Sequence, residues 1–218
     1  MTAPRPAKPP TRVILDGRYT RLEPLAPHHA DDLFAAASVP DAAQRFAYLP
    51  VEPPASLEAV RAWIAGQQSN ADPILFAVVD KATGRAGGWQ QLMRIEPAHG
   101  VIEVGYVYWG PAIARTRLAT EALYLHARHI FEDLGYRRFE WKTNNRNEAS
   151  KRAAQRFGFT FEGIFRQHMI VKGASRDTAW FSMLDTEWPS RKAGLEAWLD
   201  PVNFDADGKQ KAKLSFSA

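Results

Sequence analysis

The chain has no cysteine among its 218 residues. That absence excludes a disulfide scaffold, a thiol nucleophile, a zinc–cysteine cluster and an iron–sulfur site. Long apolar runs are missing too. The longest, residues 74–79, is six residues, whereas a bilayer-spanning helix needs about 20. The first residues carry no apolar stretch of the secretory-signal kind, so no such signal is expected. Neither sign of charge dominates: the net charge is +4, too mild to argue for nucleic acid by itself. With 45% hydrophobic and 24% charged residues, general disorder is excluded. The expectation is a soluble, cytoplasmic, globular protein.

What is present is organised. Residues 1–11 hold Pro4, Pro6, Pro9 and Pro10 and read as a flexible tail; residues 200–218 read as a polar one. Between them, 12–199 shows no repeat and no composition break. Strand patterns occupy 13–16, 19–25, 74–80, 85–95, 101–109, 138–143, 161–171 and 178–184. Helical spacing covers 27–38, 57–67, 118–134, 147–157 and 188–199. Ser56 and Asn147 are candidate N-caps, and Gly135 and Gly158 candidate C′ residues. The order predicts a single mixed α/β domain. Residues 137–156 carry seven Lys or Arg against two Glu. They form either a solvated face or a patch for an anionic cofactor.

The most informative stretch is the strand Glu103-Val104-Gly105-Tyr106-Val107-Tyr108-Trp109, a turn, and then Arg115-Thr116-Arg117-Leu118-Ala119-Thr120 opening a helix. The first amides of a helix lack intrahelical partners and the macrodipole adds positive potential, so this is an anion-binding geometry. No Walker lysine motif occurs, which argues against a P-loop nucleotidase.

These features, in order, resemble the GNAT superfamily of acetyl-CoA-dependent N-acetyltransferases, and within it the RimJ/RimL-like branch. The resemblance lies in the strand reaching Gly105-Tyr106; the loop and helix start 115–120 with Glu121-Ala122; Asn147 with Ser150; and Gly158-Phe159 with Glu162-Gly163. It implies a central mixed, twisted sheet of about seven strands with helices on both faces. It also implies acetyl-CoA as cosubstrate, without a metal, and acetyl transfer to a primary amine. The acceptor would be a protein N-terminus or a small molecule. Nucleic acid and membrane are not expected as partners; members of the family often form homodimers, and the oligomeric state of this chain is left open.

By the same resemblance, Arg115, Thr116, Arg117, Leu118, Ala119 and Thr120 surround a pyrophosphate site. The family usually has glycines where Arg115 and Arg117 stand, so direct binding by the two guanidinium groups is the expected substitute. Glu103 matches a general-base position; the other reading is a partner for an arginine. Val107 or Tyr108 would offer an oxyanion amide. Asn147 would cap its helix and contact the cofactor. The usual tyrosine acid is replaced by Ala154, leaving Ser150 as the substitute acid or simply a helix-start residue. These two losses keep open a catalytically weak acyl-CoA-binding module of the same fold.

The remaining candidates carry less. His28, His29, His126 and His129 lack a carboxylate at metal-ligand spacing and read as surface or core. His168 could face the acceptor, but core or surface is the ordinary reading. Trp89, Trp109, Trp141 and Trp180 read as core or wall. The acceptor cleft is expected from residues 40–55, 88–94 and the last hairpin.

Overall fold

A computed structural model describes residues 6–216. Strand β3 (Ile74–Asp80) is the apolar run noted above, and its first six residues are buried. A segment apolar on both faces needs cover on both, and so it lies inside a sheet. The neighbours are β1 (Leu15–Asp16), β2 (Thr20–Pro24), β4 (Ala86–Glu96), β5 (Val101–Trp109), β6 (Arg138–Asn144), β7 (Thr160–Val171) and β8 (Ala174–Leu184). The order across the sheet is β1-β2-β3-β4-β5-β6-β8-β7. Among the described strands only β5 and β6 run parallel. The sheet has eight strands, not seven; the short β1 pairs Leu15 with Leu22 and Asp16 with Arg21.

Helices flank both faces, as expected. Helices α1 (Ala30–Ala37), α2 (Ala42–Phe46) and α3 (Leu57–Gln67) pack with Leu75, Ala77, Val79 and Trp89 on one side. Helices α4 (Arg117–Arg128), α5 (Glu148–Arg156) and α6 (Trp188–Leu199) pack with Phe76, Val78, Ile102, Val104 and Phe139 on the other. Ser56 accepts the Ala59 amide proton at the start of α3, and Asn147 accepts that of Ser150 at the start of α5. Gly158 closes α5 at φ +89°, where a side chain would also strike Arg191. Helix α4 stops at Arg128 and continues as a π-helical turn over His129–Asp133. The apolar spacing runs through that turn, which is why the sequence alone predicts one helix to 134. The five-residue α2 is too short to show a period and was not predicted.

Both expected tails need correction over their described parts; residues 1–5 and 217–218 lie outside the described residues. Ala7 is buried, its amide donating to Pro97 O at 3.0 Å, and Lys8 N donates to Leu134 O at 2.8 Å. Prolines cannot donate, but the two residues between them do. At the other end Phe204 is buried and packs edge-on against Tyr19 and Trp198. No described helix is long and apolar enough to cross a membrane.

Candidate active site

Strands β5 and β6 pair only from Val101↔Arg138 to Val104↔Trp141. Beyond that β6 follows β8 to Asn144, while β5 follows β4 to Trp109. The two parallel strands therefore part after Val104, and a cleft opens at their C-terminal ends. On its other edge β5 carries a bulge: Tyr106 and Val107 together face Gln90, with Tyr106 at φ +49°. Such bulges re-aim the backbone. Tyr108 is back in register with Trp89, stacks on it at 4.5 Å and donates its hydroxyl to Ala36 O. Of the two oxyanion candidates, Val107 is the one inside the bulge.

Trp109, Trp141 and Phe157 meet at this opening with ring centroids 6.0 to 6.5 Å apart. Trp109 Nε1 donates to Gln90 Oε1. Gln90 Nε2 in turn donates to Ala122 O and to His126 Nδ1. Burial pushes the His126 pKa down to about 3, so it stays neutral and acts as a core histidine.

At the start of α4, Thr116 Oγ1 accepts the Leu118 amide proton and donates to Ile113 O at 2.7 Å. Arg115 adopts φ +63°, the left-handed conformation that glycine normally supplies. Its exposed side chain has no partner among the described residues. Arg117 departs from expectation. Its guanidinium lies 4.3 Å over the Tyr19 ring and 5.3 Å from that of Phe204, so it clamps the C-terminal segment. Ala119 and Thr120 are buried in the first turns, and Leu118 is half-buried there. Thr120 Oγ1 accepts from Arg156 Nη1 at 3.1 Å.

Asn147 caps α5 as expected. Ser150 Oγ does not serve the backbone. It accepts the indole proton of Trp141 at 3.0 Å, leaving its own proton free to point elsewhere.

Glu103 lies on the sheet face opposite α4, in register with Met93 and Glu140. Arg94 Nε and Lys142 Nζ stand 2.9 and 3.0 Å from its Oε2. Both contacts are ion pairs. Lys142 also binds Glu140 at 2.7 Å, Glu140 binds Arg138, and Arg138 reaches Glu162. Burial raises the Glu103 pKa above the ordinary carboxylate value; Lys142 and Arg94 pull the other way without cancelling it. Oε1 is engaged by no described residue. It would stand 3.3 Å from a Cβ at Gly105, a position that Met93 Sδ approaches still more closely, at 2.5 Å, so the thioether covers the glycine beside this oxygen. Glu103 is thus a partner for an arginine and a perturbed carboxylate at once.

The fold also joins residues that spacing kept apart. Glu23 Oε2 lies 3.3 Å from His28 Nε2 and 3.1 Å from His29 Nε2. His29 Nδ1, however, accepts the Ala26 amide proton. The neutral ring therefore carries its proton on Nε2, facing Glu23, and has no lone pair there for a metal. His168 faces the Glu103 side of the sheet, bonded to Thr178 Oγ1 and packed by Phe165 and Trp180. Arg94, Lys142, Trp141 and Arg176 were not singled out as site residues. Strand alternation from Glu140 could have found Lys142, but nothing local marks the rest.

Residues 20–160 match the acetyltransferase (GNAT) domain. The chain belongs to the GNAT acetyltransferase family. A GCN5-related N-acetyltransferase from Brucella melitensis is 55% identical, with TM-score 0.94 over 96% of each chain. A probable acetyltransferase of the family from Chromobacterium violaceum is 40% identical, with TM-score 0.79 over 87% of this chain and 94% of that one. An acetyltransferase from Salmonella typhimurium, described as modifying the N-terminal serine of ribosomal protein L7/L12, is 19% identical. It aligns with TM-score 0.68 over 79% of this GNAT chain and 99% of its own; at that identity the likeness is one of fold. No curated protein matches the chain at a significant level.

Proposed function

We propose that the protein transfers the acetyl group of acetyl-CoA to a primary amine, as a cytoplasmic N-acetyltransferase on the RimJ/RimL side of its family. The observation that carries the reading is the parting of β5 and β6 after Val104, with Glu103 on one flank and Ser150 on the other. The residues present fit the cofactor: a helix start with a left-handed residue before it, an aromatic-lined cleft, and a bulged strand beside them. Acetyl-CoA supplies the activated thioester. The Val107 amide is placed to stabilise oxyanion charge. Glu103 Oε1 takes the amine proton, directly or through one water. Ser150, its proton resupplied from solvent, protonates the departing sulfur as the C–S bond breaks and the new C–N bond forms, and Glu103 releases the amine proton to solvent. A thiolate is already a tolerable leaving group, so Ala154 in place of a tyrosine is no obstacle.

The reading takes the acceptor side of the cleft to be bordered by residues 40–55, 88–94 and the last hairpin. Lys172, at the tip of the β7–β8 hairpin, reaches Phe46 O and Glu52. Tyr48 donates to Arg146 O. Trp63, Trp89 and Tyr106 form an aromatic wall between them. A homodimer would use β7, an edge strand whose Phe161, Ile164, Phe165 and Ile170 are exposed.

The test is acetyl-CoA consumption against peptides, amino acids and aminoglycosides, run beside Glu103→Gln. Turnover that falls about 10²–10⁴-fold in the variant supports the reading. Cofactor binding with no transfer to any amine would support the non-catalytic acyl-CoA-binding module instead.

A further inference from the structure

The face that holds Glu103 carries a charge imbalance confined to one residue. Beside the paired Arg21 and Glu23, the cluster around Glu103 has the anions Glu103, Glu140 and Glu162 and the cations Arg94, Lys142, Arg138 and Arg176. Each of the first three cations has an acidic partner. Arg176 has none: it makes no hydrogen bond and no ion pair among the described residues. Yet it is half-buried, and its Nε is out of solvent and unpaired. Desolvation lowers its pKa from the ordinary arginine value, with Arg94 adding repulsion and Glu103 opposing. His168 does not compensate. Burial, Arg94, Arg176 and Lys142 all hold its pKa below the usual histidine value, so at neutral pH it adds a ring and no charge.

The position of Arg176 is set by the hairpin. On β8, Arg176, Thr178 and Trp180 alternate onto one face; Thr178 binds His168, and Trp180 lies beneath Lys142 at 3.8 Å. Arg176 therefore belongs to the acceptor side of the cleft rather than to the α4 helix start that would hold a pyrophosphate. A planar guanidinium with an unused fork recognises a carboxylate bidentately.

Resting on the acetyltransferase reading, we infer that the acceptor is a primary amine that also carries a carboxylate, which Arg176 binds while the amine faces Glu103. A free amino acid and a peptide N-terminus followed by an acidic residue share that chemistry. Arg176 is then a specificity residue: it touches substrate and takes no part in the proton transfers. The aromatic wall and the Lys172 crossing bound the other side of the space.

The experiment uses matched acceptors with the full-length enzyme and acetyl-CoA: glycine against glycinamide, and the C-terminally amidated dipeptides Ser-Glu against Ser-Gln. Each is measured with wild type, Arg176→Gln and Arg176→Lys. Comparing wild type with variant for each acceptor cancels differences in amine basicity. One charge-assisted contact predicts that Arg176→Gln lowers kcat/KM for the carboxylate member by about 10- to 100-fold, mostly through KM, and for its amide partner far less. Arg176→Lys should restore part of it and should show a KM that rises with salt. Discrimination in the dipeptide pair alone identifies a peptide acceptor; in the glycine pair alone, a free amino acid. Equal losses for both members of both pairs overturn the carboxylate assignment and leave acetyl transfer standing. Transfer to none of the acceptors of the broader screen, with CoA binding intact by calorimetry, overturns the transferase reading and this inference with it.

Discussion

Lys142 Nζ stands 3.0 Å from Glu103 Oε2, and each side chain is only 6% exposed. The pair sits in the core of the candidate acceptor cleft rather than on a rim, where ion pairs contribute little. Burial drives the Glu103 pKa up and Lys142 is the largest opposing influence. Removing Lys142 therefore lets the pKa rise further. A base is active only when deprotonated, so the acid limb of the kcat/KM profile should move to higher pH in Lys142→Met. At pH 6 the variant should lose more activity than at pH 8.5. Glu140 keeps Arg138 as a partner, which favours a folded variant. An acid limb that stays in place would show that Glu103 is not the group titrating.

Ser150 gains its orientation from Trp141, whose indole proton fills one lone pair of the hydroxyl. Ser150→Ala should lower kcat by roughly 10- to 100-fold, less than a full general acid contributes because the leaving thiolate is stable. Trp141→Phe keeps the ring among Trp109, Phe157 and Phe159 and deletes only the donor. Its kcat should fall in the same direction by a smaller factor, with KM for acetyl-CoA little changed. Steady-state kinetics check both. A Ser150→Ala enzyme with wild-type kcat would reduce Ser150 to a helix-start residue.

The two loop arginines should separate. Arg115 is exposed and unpartnered beside the helix start; Arg117 is held by Tyr19 and Phe204. Alanine at 115 keeps the same left-handed strain, so Arg115→Ala should leave the melting temperature nearly unchanged. It should weaken CoA binding by about 1.5–3 kcal/mol if the guanidinium meets phosphate. Arg117→Ala should do the reverse: a stability loss of about 0.5–1 kcal/mol from the lost ring contact, with CoA affinity close to wild type. Calorimetry and thermal melts distinguish them. Equal effects of both variants on CoA affinity would restore the paired-arginine loop expected from sequence.

The contrast between Arg115 and Arg117 also marks what the sequence could disclose. Local rules placed the caps at Ser56 and Asn147, the left-handed Gly158, the strand through Glu103 and the helix starting near Arg117, because each depends on neighbours within a few residues. The shared α/β architecture followed from their order. The partner of each charged side chain did not, since Tyr19 and Phe204 are 98 and 87 positions away from Arg117. Glu103 meets Arg94 through a bulge in β4, and Glu23 meets His29 across a turn that no ligand spacing describes. Ala7 and Phe204 were read as parts of tails because a lone apolar residue in a polar segment has no period to betray its burial.

Glu121 follows the start of α4 in sequence, and in the fold it holds a turn far from it in the chain. Its Oε1 accepts the Arg18 amide proton at 2.8 Å, and its Oε2 accepts those of Tyr19 and Thr20, each at 2.6 Å. One buried carboxylate on α4 thereby satisfies three amides of the β1–β2 turn and locks it against the helix. Gly17 makes the approach possible, since a Cβ there would lie 2.6 Å from the Glu121 carboxyl carbon. Glu121→Gln retains the shape but turns an NH₂ group toward backbone donors, and it removes the charge from the remaining bonds. Unpaired buried donors and weakened charged bonds together should cost about 2–4 kcal/mol, a fall in melting temperature of roughly 4–16 °C for a domain of this size. The same turn carries Tyr19, the ring under Arg117. The loss should therefore spread to the start of α4, and saturating CoA should recover part of the melting temperature by binding the folded state. Thermal melts of the variant with and without CoA measure both effects. A melting temperature within a degree of wild type would mean that the carboxylate does not hold the turn.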